Sequence, residues 1–474
     1  MAGLSLRFYS ASDLYLHEWD ERYHALVAKN LTRHPLMPTL YETAPLPYDF
    51  RVWGENHIWL HKPPLTLWVM GASIFAFGST EIAVRLPSVL LSSLCILGIY
   101  GVGLMLTNRR SAFLAAVLYA ASGPILDLAG GRVPLDHIDT FLLAFVILGV
   151  WLAGLQVKSG TRALLLPLGV VTGLAILIKS FPALIIPGVW VVWSLSERKP
   201  VTRLIVEGVI VLFVAFLVSS PWFIYARHRW PLEATWESNY NFRHFSEALE
   251  GHSENWFFYV AQLGRKFTEF VYVALIYFGV SVFRHPTSKG LVLATWFLAP
   301  HIVFSFVATK MPAYVTVSWP AIFIIYASFW WCLFDAARER SNSSRWRQVG
   351  LWMLLLIGIM LPAWLSLKRL KVHKSDQTRN PVWAQQLRTL DERISNDRPA
   401  VVFNIEHPIE AMFYNDVTAY SFIPSASDVL ELQSRGFHVV VIDTGQLPRY
   451  IVNNSRIQRI AEQDKSSVHA GSRR

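Results

Sequence analysis

Only two cysteines occur in the 474 residues, Cys95 and Cys332, and both lie inside apolar runs. A disulfide scaffold is excluded, and no Cys/His spacing of a zinc site is present. Charge is scarce too: 16% of residues are charged against 53% apolar, which is too apolar for a soluble fold. The chain also lacks a glycine-rich phosphate loop, a dinucleotide fingerprint and an Asp-x-Asp motif, which argues against a soluble nucleotide-sugar donor. Met1 to Asp20 holds no apolar run of the length that a cleaved signal needs.

What is abundant is hydrocarbon. Apolar stretches bounded by charge, proline or glycine predict membrane spans near 85–106, 111–128, 139–155, 163–178, 181–195, 204–226, 266–283, 290–309, 313–334 and 349–367. The shorter run from Pro64 to Gly78 reads as an interfacial or re-entrant helix. Nineteen Trp and seventeen Tyr suit a protein with two wet interfaces to anchor. The net charge of +10 therefore points first to loop topology, and no nucleic-acid partner is expected. Arg109, Arg110, Lys158, Arg162, Arg198, Lys199, Arg203, Arg284, Lys289, Arg338, Arg340, Arg345 and Arg347 gather in alternate loops, so these loops are expected to be cytoplasmic. Residues 1–84, Gly130–Ile138, Lys179–Ser180, Arg227–Lys266, Lys310–Pro312 and the tail after Leu367 would then face outward.

The expected organisation is a first outward loop with juxtamembrane helices (1–84), a transmembrane domain of about ten helices (85–367), and a C-terminal α/β domain with a disordered tail (368–474). The C-terminal reading rests on alternating helix-like and strand-like pieces: Pro381–Ser395, Ala400–Ile405, Pro408–Asn415, Thr418–Phe422, Ser427–Arg435 and Phe437–Ile442. The fold class is thus an α-helical polytopic membrane protein with a small extracytoplasmic α/β domain. No spanning helix precedes the first outward loop. Either the chain start lies upstream, or Leu4–Leu16 is a remnant resting on the surface.

Titratable residues cluster in the outward set. His17-Glu18-Trp19-Asp20-Glu21-Arg22-Tyr23 puts three carboxylates ahead of a helical pattern. Close carboxylates raise one another's pKa, so one can serve as a general base; a solvated turn or helix cap would look the same. His61-Lys62-Pro63-Pro64-Leu65 places a lysine at headgroup depth on a stiff backbone, suited to a lipid-linked phosphate or to simple snorkelling. Asp136 and Asp139 flank the start of a helix after Arg132; one is expected to be a dipole partner and the other functional. Lys179 and Lys310 interrupt two helix pairs joined by tight turns. Lys62, Arg132, Lys179 and Lys310 together describe a phosphate site beside a base group of Asp20, Glu21 and Asp136. Loop 227–266 carries His228, His244 and His252, where a divalent ion could bind, and aromatics such as Trp256 that could stack on a sugar. No cofactor is otherwise expected.

The order Asp20-Glu21, His61-Lys62-Pro63-Pro64-Leu65, Asp136, Gly173-Leu174-Ala175-Ile176-Leu177-Ile178-Lys179, Pro221-Trp222 and Lys310-Met311-Pro312-Ala313-Tyr314 resembles the protein O-mannosyltransferase and aminoarabinose transferase family, over roughly residues 15–325. These are polytopic glycosyltransferases of the GT-C type. The resemblance implies a first-loop carboxylate acting on the acceptor, at Asp20 with Glu21, and a carrier-phosphate lysine at Lys62. It also implies a second acidic position matching Asp136 better than Asp139. Where relatives show Asp-Glu-x-Arg-Tyr, this chain has Tyr23 and His24, leaving Arg22 as the nearest substitute for the arginine. The expected activity is inverting transfer of a sugar from a polyprenyl-phosphate carrier to a hydroxyl of a lipid, glycan or protein. The site would lie on the periplasmic face of the inner membrane, with His61, Tyr314 and Trp256 touching substrate. The rival readings are a lipid-linked transporter or flippase, whose charges belong near the midplane, and an inactive family member.

Overall fold

The computed structural model describes residues 1–132, 137–339, 345–369, 376–394 and 399–461. Asp136 lies outside the described residues. Helices in the first part are α1 (Ala2–Ser10), α2 (Asp20–Leu31), α3 (Leu65–Phe77), α4 (Glu81–Leu106), α5 (Arg109–Ala121), α6 (Gly123–Ala129) and α7 (His137–Ser159). There follow α8 (Leu165–Ile176), α9 (Ile185–Ser196), α10 (Val201–Arg229), α11 (Pro231–Ser246), α12 (Phe258–Phe267), α13 (Phe270–Arg284), α14 (Ser288–Phe306), α15 (Trp319–Glu339) and α16 (Arg345–Arg369). The C-terminal part adds α17 (Asp376–Arg379), α18 (Val382–Arg388), β1 (Ala400–Phe403), α19 (Pro408–Tyr414), β2 (Val417–Ala419), α20 (Ala426–Ser434), β3 (His438–Asp443), α21 (Arg449–Val452) and β4 (Gln458–Ala461). The chain is a multi-spanning helical membrane protein with a small C-terminal α/β sheet.

Two compact units share these elements, and neither is continuous in sequence. One holds Met1–Ala11, Lys62–Thr66 and Ser88–Val372; the other holds Ser12–His61, Leu67–Pro87 and His373–Arg474. The division into loop, membrane domain and tail expected from the sequence is thus redistributed.

Five stretches among the described residues are long and apolar enough to cross a membrane, all in the first unit except the start of α4: α4, α7, α10, α14 and Pro312–Glu339. The bent pairs α5 with α6 (54°) and α12 with α13 (118°) raise the number to seven if each is one span. The second bend interrupts the span expected at 266–283, and it is made by Thr268 at φ 77°, a left-handed conformation unusual for a branched side chain. The spans expected at 163–178 and 181–195 are the shorter apolar helices Arg162–Ile176 and Pro182–Ser196. Helices here cannot gain from apolar burial against lipid, so close backbone approach has to hold them. At Gly169 an added Cβ would sit 2.9 Å from the Val211 carbonyl, and at Gly173 one would sit 2.7 Å from that of Ala215. This Gly-x-x-x-Gly row is what lets α8 lie directly on α10.

Helix α1 does not lie on a surface along its whole length, as the sequence alternative had it. Arg7 and Ser10 are buried; Arg7 Nε donates to Ser92 Oγ at 2.7 Å, and Ser10 Oγ donates to the Leu126 carbonyl at 2.8 Å.

The second unit is built on a parallel four-stranded sheet of order β2-β1-β3-β4. β1 is buried at every position because it is a central strand covered on both faces. One face of the sheet shares a core with the first-loop segment: Leu26, Val27, Ala28 and Leu31 of α2 join Val402, Phe413 and Val440. Lys29 Nζ donates to the carbonyls of Met412 (2.8 Å) and Asn415 (3.0 Å), capping the C-terminal end of α19 where unsatisfied carbonyls favour a cation. Arg33 clamps both oxygens of Asp416 at 2.7 Å. Asp20 therefore rides on a helix that the C-terminal sheet supports.

Candidate functional site

The candidate residues divide between the units: Asp20, Glu21 and His61 belong to the second, and Lys62, Arg132, Lys179, Lys310, Tyr314 and Trp256 to the first.

Asp20 opens α2, half-buried, and among the described residues its carboxylate takes part in no hydrogen bond or ion pair. Trp19 before it is held at φ 69°, and such strain persists where the surroundings over-determine the backbone. Two residues on stands Glu21. The Glu21 carboxylate is buried and receives Arg85 Nε at 2.7 Å and Arg85 NH2 at 2.9 Å, and also the His17 backbone N–H at 2.6 Å. His17 lies between Glu21 and Asp13, and Asp13 in turn accepts Arg379 Nε at 2.8 Å. Arg85 NH2 also donates to the Tyr15 carbonyl at 2.6 Å. Two adjacent carboxylates thus stand in opposite environments: Glu21 is locked in a charge network, while Asp20 makes no hydrogen bond or ion pair among the described residues. Arg22, the stand-in for a phosphate-binding arginine, turns to Glu410 of α19 (3.3 Å) and lies over the Tyr23 ring. His61 is stacked on Trp53 with ring centroids 5.2 Å apart.

In the first unit one cation, Lys179, contacts two other candidate-site groups, Asp139 and Tyr314. Helix α8 ends at Ile176, the Lys179 N–H donates to the Ala175 carbonyl at 3.0 Å, and Pro182 starts the next helical turn. This tight reversal sets Lys179 at the shared end of α8 and α9. Its Nζ donates to Asp139 Oδ1 at 2.8 Å and lies 5.9 Å from the Tyr314 ring centroid. Asp139 is 3% exposed in the first turn of α7, so Lys179 and the helix dipole both stabilise its charge. The Lys62 segment joins the same place, because the Leu65 N–H donates to the Leu177 carbonyl at 3.1 Å. Lys62 itself is half-buried ahead of Pro63 and Pro64.

Lys310 is buried and donates to the Val307 carbonyl at 2.6 Å, four residues before Tyr314, which leans on Phe304 with centroids 4.8 Å apart. Arg132 is half-buried, its N–H on the Asp127 carbonyl at 3.0 Å. Trp256 is 62% exposed beside Phe257. Thr309 fastens the long loop to this strip: its hydroxyl meets His244 Nδ1 (3.0 Å) and the Leu249 N–H (3.0 Å) and donates to the Glu247 carbonyl (2.8 Å). Among the described residues no three His, Cys, Asp or Glu side chains converge as metal ligands.

Sequence reasoning gave no role to Asp13 or Arg85 and took Asp139 for the lesser acid. Arg85 carried a usable signal, since a lone arginine inside an apolar run demands a carboxylate partner.

Residues 61–225, which begin at the His61-Lys62 motif and extend beyond Lys179, match the Dolichyl-phosphate-mannose-protein mannosyltransferase family. Over that stretch the chain is similar to the protein O-mannosyltransferase and aminoarabinose transferase family. An undecaprenyl phosphate-alpha-4-amino-4-deoxy-L-arabinose arabinosyl transferase of Erwinia tasmaniensis is 27% identical over 287 residues, covering 57% of this chain and 49% of the relative. The counterpart from Pectobacterium carotovorum is 25% identical over 314 residues, covering 64% of this chain and 54% of the relative. The chain therefore spans about half the length of these relatives. Among solved structures, ArnT from Cupriavidus metallidurans bound to undecaprenyl phosphate superposes with a TM-score of 0.63 at 17% identity, covering 91% of this chain and 86% of that one. The Archaeoglobus fulgidus oligosaccharyltransferase in its apo form gives 0.58 at 12% identity, covering 89% and 64%. At these identities the two structures establish a shared fold.

Proposed function

We propose that this chain transfers a sugar from a polyprenyl-phosphate carrier to a hydroxyl acceptor at the outward face of the membrane. The observation that carries the reading is the contact of Lys179 with Asp139 and Tyr314 at the α8–α9 turn, to which the backbone following Lys62 is hydrogen-bonded, with Lys62, Asp139 and Lys179 all inside the segment that matches the mannosyltransferase family. Lysines serve phosphate as point charges, and here they stand on rigid helix ends, where preorganised charge stabilises a leaving anion best.

Asp20, whose carboxylate has no partner among the described residues, accepts the acceptor's hydroxyl proton as the oxygen forms its bond to the anomeric carbon. The bond from that carbon to the carrier phosphate breaks, and the electron pair leaves on a polyprenyl phosphate neutralised by Lys62 and Lys179. Displacement in one step inverts the anomeric centre. Lys310 and Arg132 are assigned to the same anion, and Tyr314, His61 and Trp256 to the sugar or acceptor. Glu21 is assigned to holding the loop through Arg85.

The test is release of free polyprenyl phosphate, and product formation, by the full chain in proteoliposomes supplied with lipid-linked sugars. Asp20→Asn is expected to slow transfer by roughly 10²–10⁴, and Lys62→Ala to abolish it. Wild-type rates in both variants would remove the assignment. A sugar lipid that crosses the bilayer unchanged, with no phosphate released, would mark a flippase instead.

A further inference from the structure

We infer that the membrane unit carries a second lipid site, for one anionic diacyl phospholipid of the bilayer, in the cavity at the α12–α13 bend. The inference is independent of sugar transfer. The cavity measures about 310 Å³, within the range of small-ligand pockets. Its apolar wall comes from Val117 and Leu118 of α5, Phe267 of α12, Ile322 and Phe323 of α15, and Leu365 of α16.

Two polar atoms in this wall lack a well-formed hydrogen bond. Thr268 and Tyr326 are 8% and 5% exposed, and among the described residues neither Thr268 Oγ1 nor Tyr326 Oη makes a hydrogen bond of good geometry, although the two hydroxyls lie near each other. A buried hydroxyl that donates to nothing is costly, so a ligand acceptor at this place has a clear physical reason. The backbone at Thr268 is held at φ 77°, which places its hydroxyl in the wall where the two helices turn by 118°. At the same bend Arg265 and Lys266 line the cavity, with Glu269 the nearest acid in the lining.

Apolar wall, hydroxyl donors and cations match, in that order, an acyl chain, its ester carbonyl and a phosphodiester. The ester carbonyl accepts from Tyr326 Oη or Thr268 Oγ1, and the phosphate pairs with Arg265 and Lys266. A polyprenyl phosphate supplies the chain and the anion but no ester carbonyl. The hydroxyl pair therefore distinguishes the bilayer lipid from the sugar carrier.

The experiment is native mass spectrometry of the full chain in detergent, given equal phosphatidylglycerol and phosphatidylcholine of the same acyl composition. One phosphatidylglycerol should be retained in preference by wild type. The exposed double change Arg265→Gln with Lys266→Gln should reduce that preference about thirtyfold. Tyr326→Phe should weaken retention of both lipids several-fold and leave their ratio unchanged. The inference fails if both variants hold phosphatidylglycerol as wild type does, or if wild type does not prefer it. It fails also if undecaprenyl phosphate displaces phosphatidylglycerol one for one, since the cavity would then belong to the carrier.

Discussion

Replacing Arg85 by Met should free the helix that carries Asp20 without touching Asp20 itself. In wild type the Arg85 and Glu21 side chains are both fully buried, joined at 2.7 and 2.9 Å. Their mutual attraction does little more than offset the desolvation of two charges, so the pair as such adds little stability. Removing one member is different, because the buried Glu21 charge is left with His17 alone and without its arginine; breaking a buried pair this way costs about 3–5 kcal/mol. At about 1.4 kcal/mol per decade, opening of α2 should become more frequent by roughly two to three and a half decades. Hydrogen exchange read by mass spectrometry on peptides covering Asp20–Leu31 measures this directly, with β1 and β3 as internal reference. The double variant Arg85→Met with Glu21→Leu removes both charges. It should lie nearer to wild type than Arg85→Met alone, short of full recovery because the His17 N–H loses its acceptor. If the single variant exchanges within threefold of wild type, or the two changes simply add, Glu21 is not the anchor of this loop.

Further expectations follow from the same geometry. Lys179→Met should lower transfer by about 10² or more, and Asp139→Asn by less, because Asp139 orients the lysine; initial rates in proteoliposomes separate the two. Thr309→Val removes three hydrogen bonds around one hydroxyl, and limited proteolysis should cut the 247–254 segment faster than in wild type. Asp416 is held below its ordinary value of 3.8: burial pushes it up, but the Arg33 hydrogen bonds and the Lys29 charge outweigh that. Its folded pKa being depressed, its stabilising effect is present above that ordinary value and is lost as pH falls through the folded one. Acid titration of α19 exchange should therefore show wild type and Asp416→Asn converging below pH of about 4. Transfer should run at an unchanged rate in EDTA, since the proposed steps need only carboxylate and lysine.

The membrane helices were legible because twenty apolar residues leave few alternatives, and the C-terminal strands because Ala400–Phe403 and His438–Asp443 are short β-branched runs between turn signals. Lys179 and Lys310 stood out for their positions at helix reversals, and Lys62 for the proline pair that follows it. What sequence could not give was partnership over distance. Glu21 and Asp20 look alike as neighbours, and only Arg85, sixty-four positions away, separates their roles. The same holds for α2 and α19, whose contacts join positions 383 and 386 apart and leave no local pattern in either segment. The bend at Thr268 was hidden because hydropathy averages over a break that one residue makes.

That separation has a consequence for how the protein is made. While the chain is being synthesised, α2 emerges hundreds of residues before α19, and at about 5–20 residues per second the wait is roughly 20–80 s. During that time the apolar face of α2, with Leu26, Val27 and Leu31, has no sheet to cover it. Every span between them must be threaded first. A ribosome that stalls late, or a protease that clips the chain before the sheet forms, would release a protein whose α2 never packs, so the sheet made last acts as the step that licenses the helix made first.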